Sequence, residues 1–109
     1  MSSHEREEGA MGVRHVVVFR FREGTTAEQR ATIAAELRKL PGVIPEIASY
    51  TVGEDTGLVE GTWDFAVIAD FASEADYFTY REHPDHQAVI AQHIQPVLHE
   101  RAPAQIVVA

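Results

Sequence analysis

Val13–Arg22 alternates like a strand, yet both of its faces are apolar at the centre. Val13, His15, Val17, Phe19 and Phe21 fall on one side, and Arg14, Val16, Val18, Arg20 and Arg22 on the other. Thr62–Phe71 repeats the pattern, with Trp63, Phe65, Val67, Ala69 and Phe71 opposing Thr62, Asp64, Ala66, Ile68 and Asp70. Laid antiparallel, the two strands take a register in which Arg14 faces Asp70 and Arg20 faces Asp64. Val16 then faces Ile68 and Val18 faces Ala66, so opposite charges bracket an apolar centre. On the reverse side the same register sets His15 against Ala69 and Phe19 against Phe65. Helices of a small domain can cover only one of these faces. A second sheet from another copy of the chain is the simplest cover for Val16, Val18, Ala66 and Ile68, which predicts a homodimer of face-packed sheets.

The rest of the chain supplies the helices. Thr26 with Gln29, or Thr25 with Glu28, has capping-box spacing, and Ile33, Leu37 and Leu40 form a helical stripe that Pro41-Gly42 stops. Glu46–Glu54 reads as a second strand, joined to the third by the turn-prone segment 55–61. Ser73 with Asp76 caps a short helix through Tyr80. Pro84 suits the first turn of another helix, through Val89 and His93 toward Val97, with Pro96 distorting its end. Ala104–Val108 closes as a strand. The order is βαββαβ, an α+β ferredoxin-like fold with a four-stranded antiparallel sheet. Met1–Ala10, including His4, has no apolar period and reads as a loose tail before one domain at 11–109.

Composition narrows the function. The 109 residues carry a net charge of −8, which argues against nucleic acid and anionic membrane as partners. There is no cysteine, so thiolate metal sites, disulfides and cysteine nucleophiles are excluded. No apolar run approaches the ~18 residues of a membrane span and no signal-peptide core is visible, so a soluble cytoplasmic protein is expected. Phosphate loops, dinucleotide fingerprints and GxSxG are missing, and no cofactor is predicted. A chain this short buries a modest share of its surface, which also favours a partner subunit.

Chemistry concentrates in Thr79–Gln87, where Tyr80, His83, Pro84, Asp85 and His86 lie within seven residues. His83 and Pro84 read as a structural corner. Asp85 suits the first turn of the helix that follows. His86 sits in that same turn, where the positive end of the helix disfavours imidazolium. It reads either as a general base or as a buried capping group. Tyr80 is either a hydrogen-bond donor to a substrate oxygen, or an aid to orienting His86, or a core filler. His15 is a pocket residue or a satisfied core histidine, and Phe19, Trp63 and Phe65 would give that pocket an apolar wall. His93 and His99 are placed on the last helix, at the surface or an interface. No specific metal is expected, because the proline sets a corner between His83 and His86 and no further ligands complete a site.

Together, the strand-one histidine, the Ile44-Pro45 step before strand two, Trp63–Phe71 and the His83-Pro84-Asp85-His86 motif resemble the stress-responsive A/B-barrel (Dabb) family over about Val13–Val108. The resemblance implies a dimeric α+β barrel. The family holds stress-induced proteins without assigned chemistry as well as a plant polyketide cyclase, and its wider superfamily holds cofactor-free monooxygenases. Against that cyclase, His86 matches the catalytic histidine, Tyr80 the tyrosine and His15 the histidine of the pocket. Three functions follow as alternatives. One is cofactor-free acid–base chemistry of cyclase or lyase type on a small hydrophobic carbonyl compound. The others are non-catalytic binding of a small ligand by a stress-associated dimer, and cofactor-independent oxygenation.

Overall fold

The computed structural model describes residues 12–109, so the tail at 1–10 lies outside the described residues. The chain order is β1 Gly12–Phe21, α1 Ala27–Arg38, β2 Ile47–Glu54, β3 Phe65–Phe71, α2 Glu74–Glu82, α3 Pro84–Val89 and β4 Leu98–Val108. The antiparallel sheet has the order β2-β3-β1-β4. This is the ferredoxin-like fold.

Residue pattern and structure agree at the centre of the sheet. Arg14 pairs with Asp70, His15 with Ala69, Val16 with Ile68, Val18 with Ala66 and Phe19 with Phe65. Arg14 meets Asp70 through two hydrogen bonds of 2.8 and 3.1 Å, and Ser49 on β2 donates to the same carboxylate at 2.9 Å. Helices cover one face, burying Val17, Phe19, Phe65, Val67, Ala69 and Phe71 against Ile33, Leu37 and Leu40. On the open face Val16, Val18 and Ala66 stay half-buried, and Ile68 keeps 37% of its surface exposed in the middle of the sheet.

The caps form from the residues that signal them. Thr26 accepts from the Gln29 amide at 3.1 Å while the Gln29 side chain accepts from the Thr26 amide at 2.8 Å, so two free amides are satisfied at once. Ser73 accepts from the Asp76 amide at 3.1 Å. Between α2 and α3 the chain turns at His83, whose extended backbone (φ −63°, ψ 134°) is what a residue before proline prefers. Its Nδ1 accepts from the Asp85 amide at 3.1 Å, so the ring caps α3.

Three expectations need correction. Arg20 does not face Asp64, because the Asp64 carboxylate accepts from the Phe21 amide at 2.9 Å and the ladder ends at Phe19–Phe65. Arg20 instead lies over the Trp63 ring, 4.6 Å from its centroid. The last helix reaches Val97, though not as a single α-helix. It is α-helical to Val89, then passes through a π-helical turn (Ile90–Ile94) and a 3₁₀ turn (Gln95–Val97) that holds Pro96, which has no amide for the helical ladder. His99 stands not on that helix but on β4, which begins at Leu98 rather than Ala104. Its polar first half and Pro103 are tolerated because β4 is an edge strand.

Candidate functional site

A cavity of about 270 Å³ lies between the helices and the covered face of the sheet, near the lower bound of the roughly 300–1,000 Å³ usual for ligand sites. His15, Val17 and Phe19 of β1, Val67 of β3 and Leu37 of α1 form its floor. Tyr77, Tyr80 and Arg81 of α2, His86 and Gln87 of α3, and Ile90 and Ile94 of the π-helical turn close it from above. Gln95, Leu98 and Arg101 complete the lining.

The register explains the gathering. Gln105, His15, Ala69 and Tyr50 form one row across β4, β1, β3 and β2. Ala69 is the small member of that row, which leaves room above it for a large ring. Tyr80 comes within 6.2 Å of His15 and 5.9 Å of Tyr50, measured between ring centroids, and stacks on His86 at 4.1 Å. Its hydroxyl is 2.9 Å from that of Tyr50. Burial holds the Tyr80 phenol well above its ordinary range, and the Tyr50 phenol is pushed up to about 12, again chiefly by burial. Both hydroxyls therefore keep their protons at neutral pH.

The two histidines are held in opposite tautomers. Nδ1 of His86 is 3.1 Å from the carbonyl oxygen of Arg81, which also accepts from Gln87 at 2.6 Å. A carbonyl has no proton to give, so His86 donates from Nδ1 and keeps a lone pair on Nε2. The Gln105 amide nitrogen lies 2.9 Å from Nδ1 of His15, and an amide NH₂ can only donate. His15 therefore accepts at Nδ1 and carries its proton on Nε2. Neither Nε2 bonds to a described residue, and both rings line the cavity. Burial, with the charges of His86 and Arg101 behind it, lowers His15 to about 4. Burial also lowers His86, against the raising effect of the Arg81 carbonyl. Both rings are neutral at pH 7.

His15, Phe19, Tyr80 and His86 thus meet at one cavity, as the residue pattern suggests. Trp63 and Phe65 do not join them. Phe65 is 1% exposed and packs behind Phe19, with ring centroids 6.0 Å apart. Trp63 precedes β3 and lines a different depression with Val18 and Ala66. Sequence reasoning missed Tyr50, Gln105 and Arg101, whose only signal is the register of the edge strands. Among the described residues no group of three His, Asp or Glu side chains is placed to hold a metal ion, and no helix is long and apolar enough to cross a membrane.

The stress responsive A/B barrel domain, Dabb, matches residues 13–108. The chain belongs to the Dabb family. A dimeric ferredoxin-like protein of unknown function from Thermobifida fusca YX is 40% identical, with a TM-score of 0.84 over 91% of this chain and 92% of that one. A Dabb protein from Mesorhizobium loti MAFF303099 shares 20% identity, with a TM-score of 0.76 over 91% and 98% of the two chains. Hydroxynitrile lyase from Passiflora edulis shares 22% identity, with a TM-score of 0.77 over 90% and 94%. These last two similarities establish the fold alone. No curated protein matches the sequence.

Proposed function

We propose that this Dabb chain binds a small, largely apolar carbonyl compound and catalyses cofactor-free proton transfer on it, in the manner of a lyase or cyclase. One observation carries the reading: His86 and His15 border one cavity as neutral rings of opposite tautomer. His86 Nε2 takes a proton from the carbon beside the carbonyl, and the electron pair of that C–H bond moves onto the carbonyl oxygen. His15 Nε2–H donates a hydrogen bond to the enolate oxygen that forms. Tyr80, stacked on His86 and tied to Tyr50, sets the plane of the base. A hydroxynitrile lyase on the same fold lends the reading support.

The test is hydrogen–deuterium exchange at the α-carbon of phenylacetone in D₂O, followed by NMR. Wild type should accelerate exchange, and His86→Ala should lower the rate by about 100-fold while the fold melts normally. Exchange no faster than in buffer would return the protein to the class of non-catalytic ligand binders. Oxygen uptake during the same assay would favour the cofactor-independent oxygenase.

The functional unit we propose is a homodimer joined through Val16, Val18, Ala66 and Ile68. The exposure of Ile68 at the centre of the uncovered face supports it, as does the dimeric state of the Thermobifida fusca protein.

A further inference from the structure

Charge around the cavity runs against the charge of the chain. Acidic residues outnumber basic ones 17 to 9 over the sequence. Among the described residues no Asp or Glu lines the cavity, and the two permanently charged side chains that do are Arg81 and Arg101. Arg101 stands opposite Phe19 in the register, which sets it on the helix side of the sheet with Gln105 four residues further along the same face. It is exposed while lining the cavity, so it belongs to the rim, and its charge is felt at His15. Arg81 lies in the last turn of α2, and its own backbone carbonyl fixes His86. Proton transfer between a carbon and a neutral imidazole needs no guanidinium. A guanidinium fork matches a carboxylate, and two of them at a described lining that holds no acid favour an anion there.

We infer that the natural ligand is a small carboxylate, whose apolar body fills the floor around Val17, Phe19 and Ile94 and whose carboxylate is held at the rim by Arg101, with Arg81 as the second cation. The inference rests on reading the cavity as a small-molecule site and names the class of molecule it takes.

Calorimetric titration with 4-phenylbutanoate and with 4-phenylbutan-1-ol separates the charge from the apolar body. The carboxylate should bind about tenfold or more tightly than the alcohol at low salt. Raising ionic strength from about 0.01 M to about 1 M should erase that preference and leave the alcohol unmoved. Arg101→Gln should abolish the preference and Arg101→Lys should restore most of it. If Arg101→Gln lacks a cooperative melt, the salt series and Arg101→Lys decide. Equal affinity for the two probes, a preference indifferent to salt and to Arg101, or no binding of either probe overturns the inference. Failure here differs from failure of the catalytic reading. Exchange that depends on His86 without a carboxylate preference removes only the anion, and a preference without such exchange removes only the catalysis.

Discussion

The side-chain amide of Gln105 donates to Nδ1 of His15 across 2.9 Å, from the edge strand to the central strand beside it. That bond decides which nitrogen of His15 holds the proton, and hence that the ring offers a donor to the cavity. Gln105→Leu removes the donor and keeps most of the bulk. ¹⁵N NMR should show His15 shifting from the Nε2–H tautomer to a mixture, and α-proton exchange should fall about tenfold, the value of one hydrogen bond. A variant that keeps both tautomer and rate would show that Gln105 does not position the ring.

Tyr80 and His83 sit three residues apart and do different work. Tyr80→Phe keeps the stack on His86 and removes only the hydroxyl, leaving the half-buried Tyr50 hydroxyl without its partner. It should cost about 1–2 kcal/mol of stability and slow exchange less than His86→Ala does. His83→Ala removes the cap of α3, so it should cost about 1 kcal/mol and leave exchange unchanged. Thermal melts and exchange rates measured on both variants check the division, and a large rate loss in His83→Ala would break it.

These assignments divide along the line between what alternation reveals and what only register reveals. β1 and β3 were legible because the Arg14–Asp70 pair closes one end of an apolar centre that matches across both strands, which leaves one sensible register. Extending that alternation to Trp63 and Asp64 failed, since it says nothing of where hydrogen bonding stops. The Asp64 carboxylate captures the Phe21 amide and ends the ladder. Tyr50 and Gln105 stayed hidden for a related reason. Each joins the site through a row that crosses all four strands, and edge strands carry too few internal pairs in their sequence to be aligned. The His83-Pro84 corner, by contrast, is local chemistry and reads directly from two residues. The neutrality of His86 was legible in direction, but its first cause is burial rather than the helix end.

His15 should make the fold acid-sensitive. Its folded value of about 4 lies below the 6.5 of a free imidazole. Above 6.5 both folded and unfolded states are neutral and the group has no effect. As pH falls below 6.5 the unfolded chain takes up the proton first, so stability falls. The loss is complete only below about 4, where it is on the order of 3 kcal/mol. By pH 5 the loss is about 2 kcal/mol, or roughly 10 °C of melting temperature. His86 acts in the same direction. Melting curves at pH 7 and pH 5 should show this drop in wild type and a clearly smaller one in His15→Asn. Equal drops in the two proteins would assign the acid sensitivity elsewhere.

Val18 tests the open face. It lies between Ala66 on β3 and Ala102 on β4, half-buried in the single sheet, with small neighbours on both sides. In the proposed dimer a second sheet covers it. An aspartate there faces no cation across either register pair, so burying it costs several kcal/mol of association. In the isolated protomer the same carboxylate stays hydrated and costs little. Val18→Asp should therefore sediment as a folded 12.1 kDa chain at concentrations where wild type sediments at twice that mass. The far-ultraviolet dichroism of the two proteins should match, because each protomer keeps its own core of Phe19, Phe65, Phe71 and Leu37. A Val18→Asp protein that remains a stable dimer would place the interface on another surface and leave Ile68 exposed for a reason other than pairing.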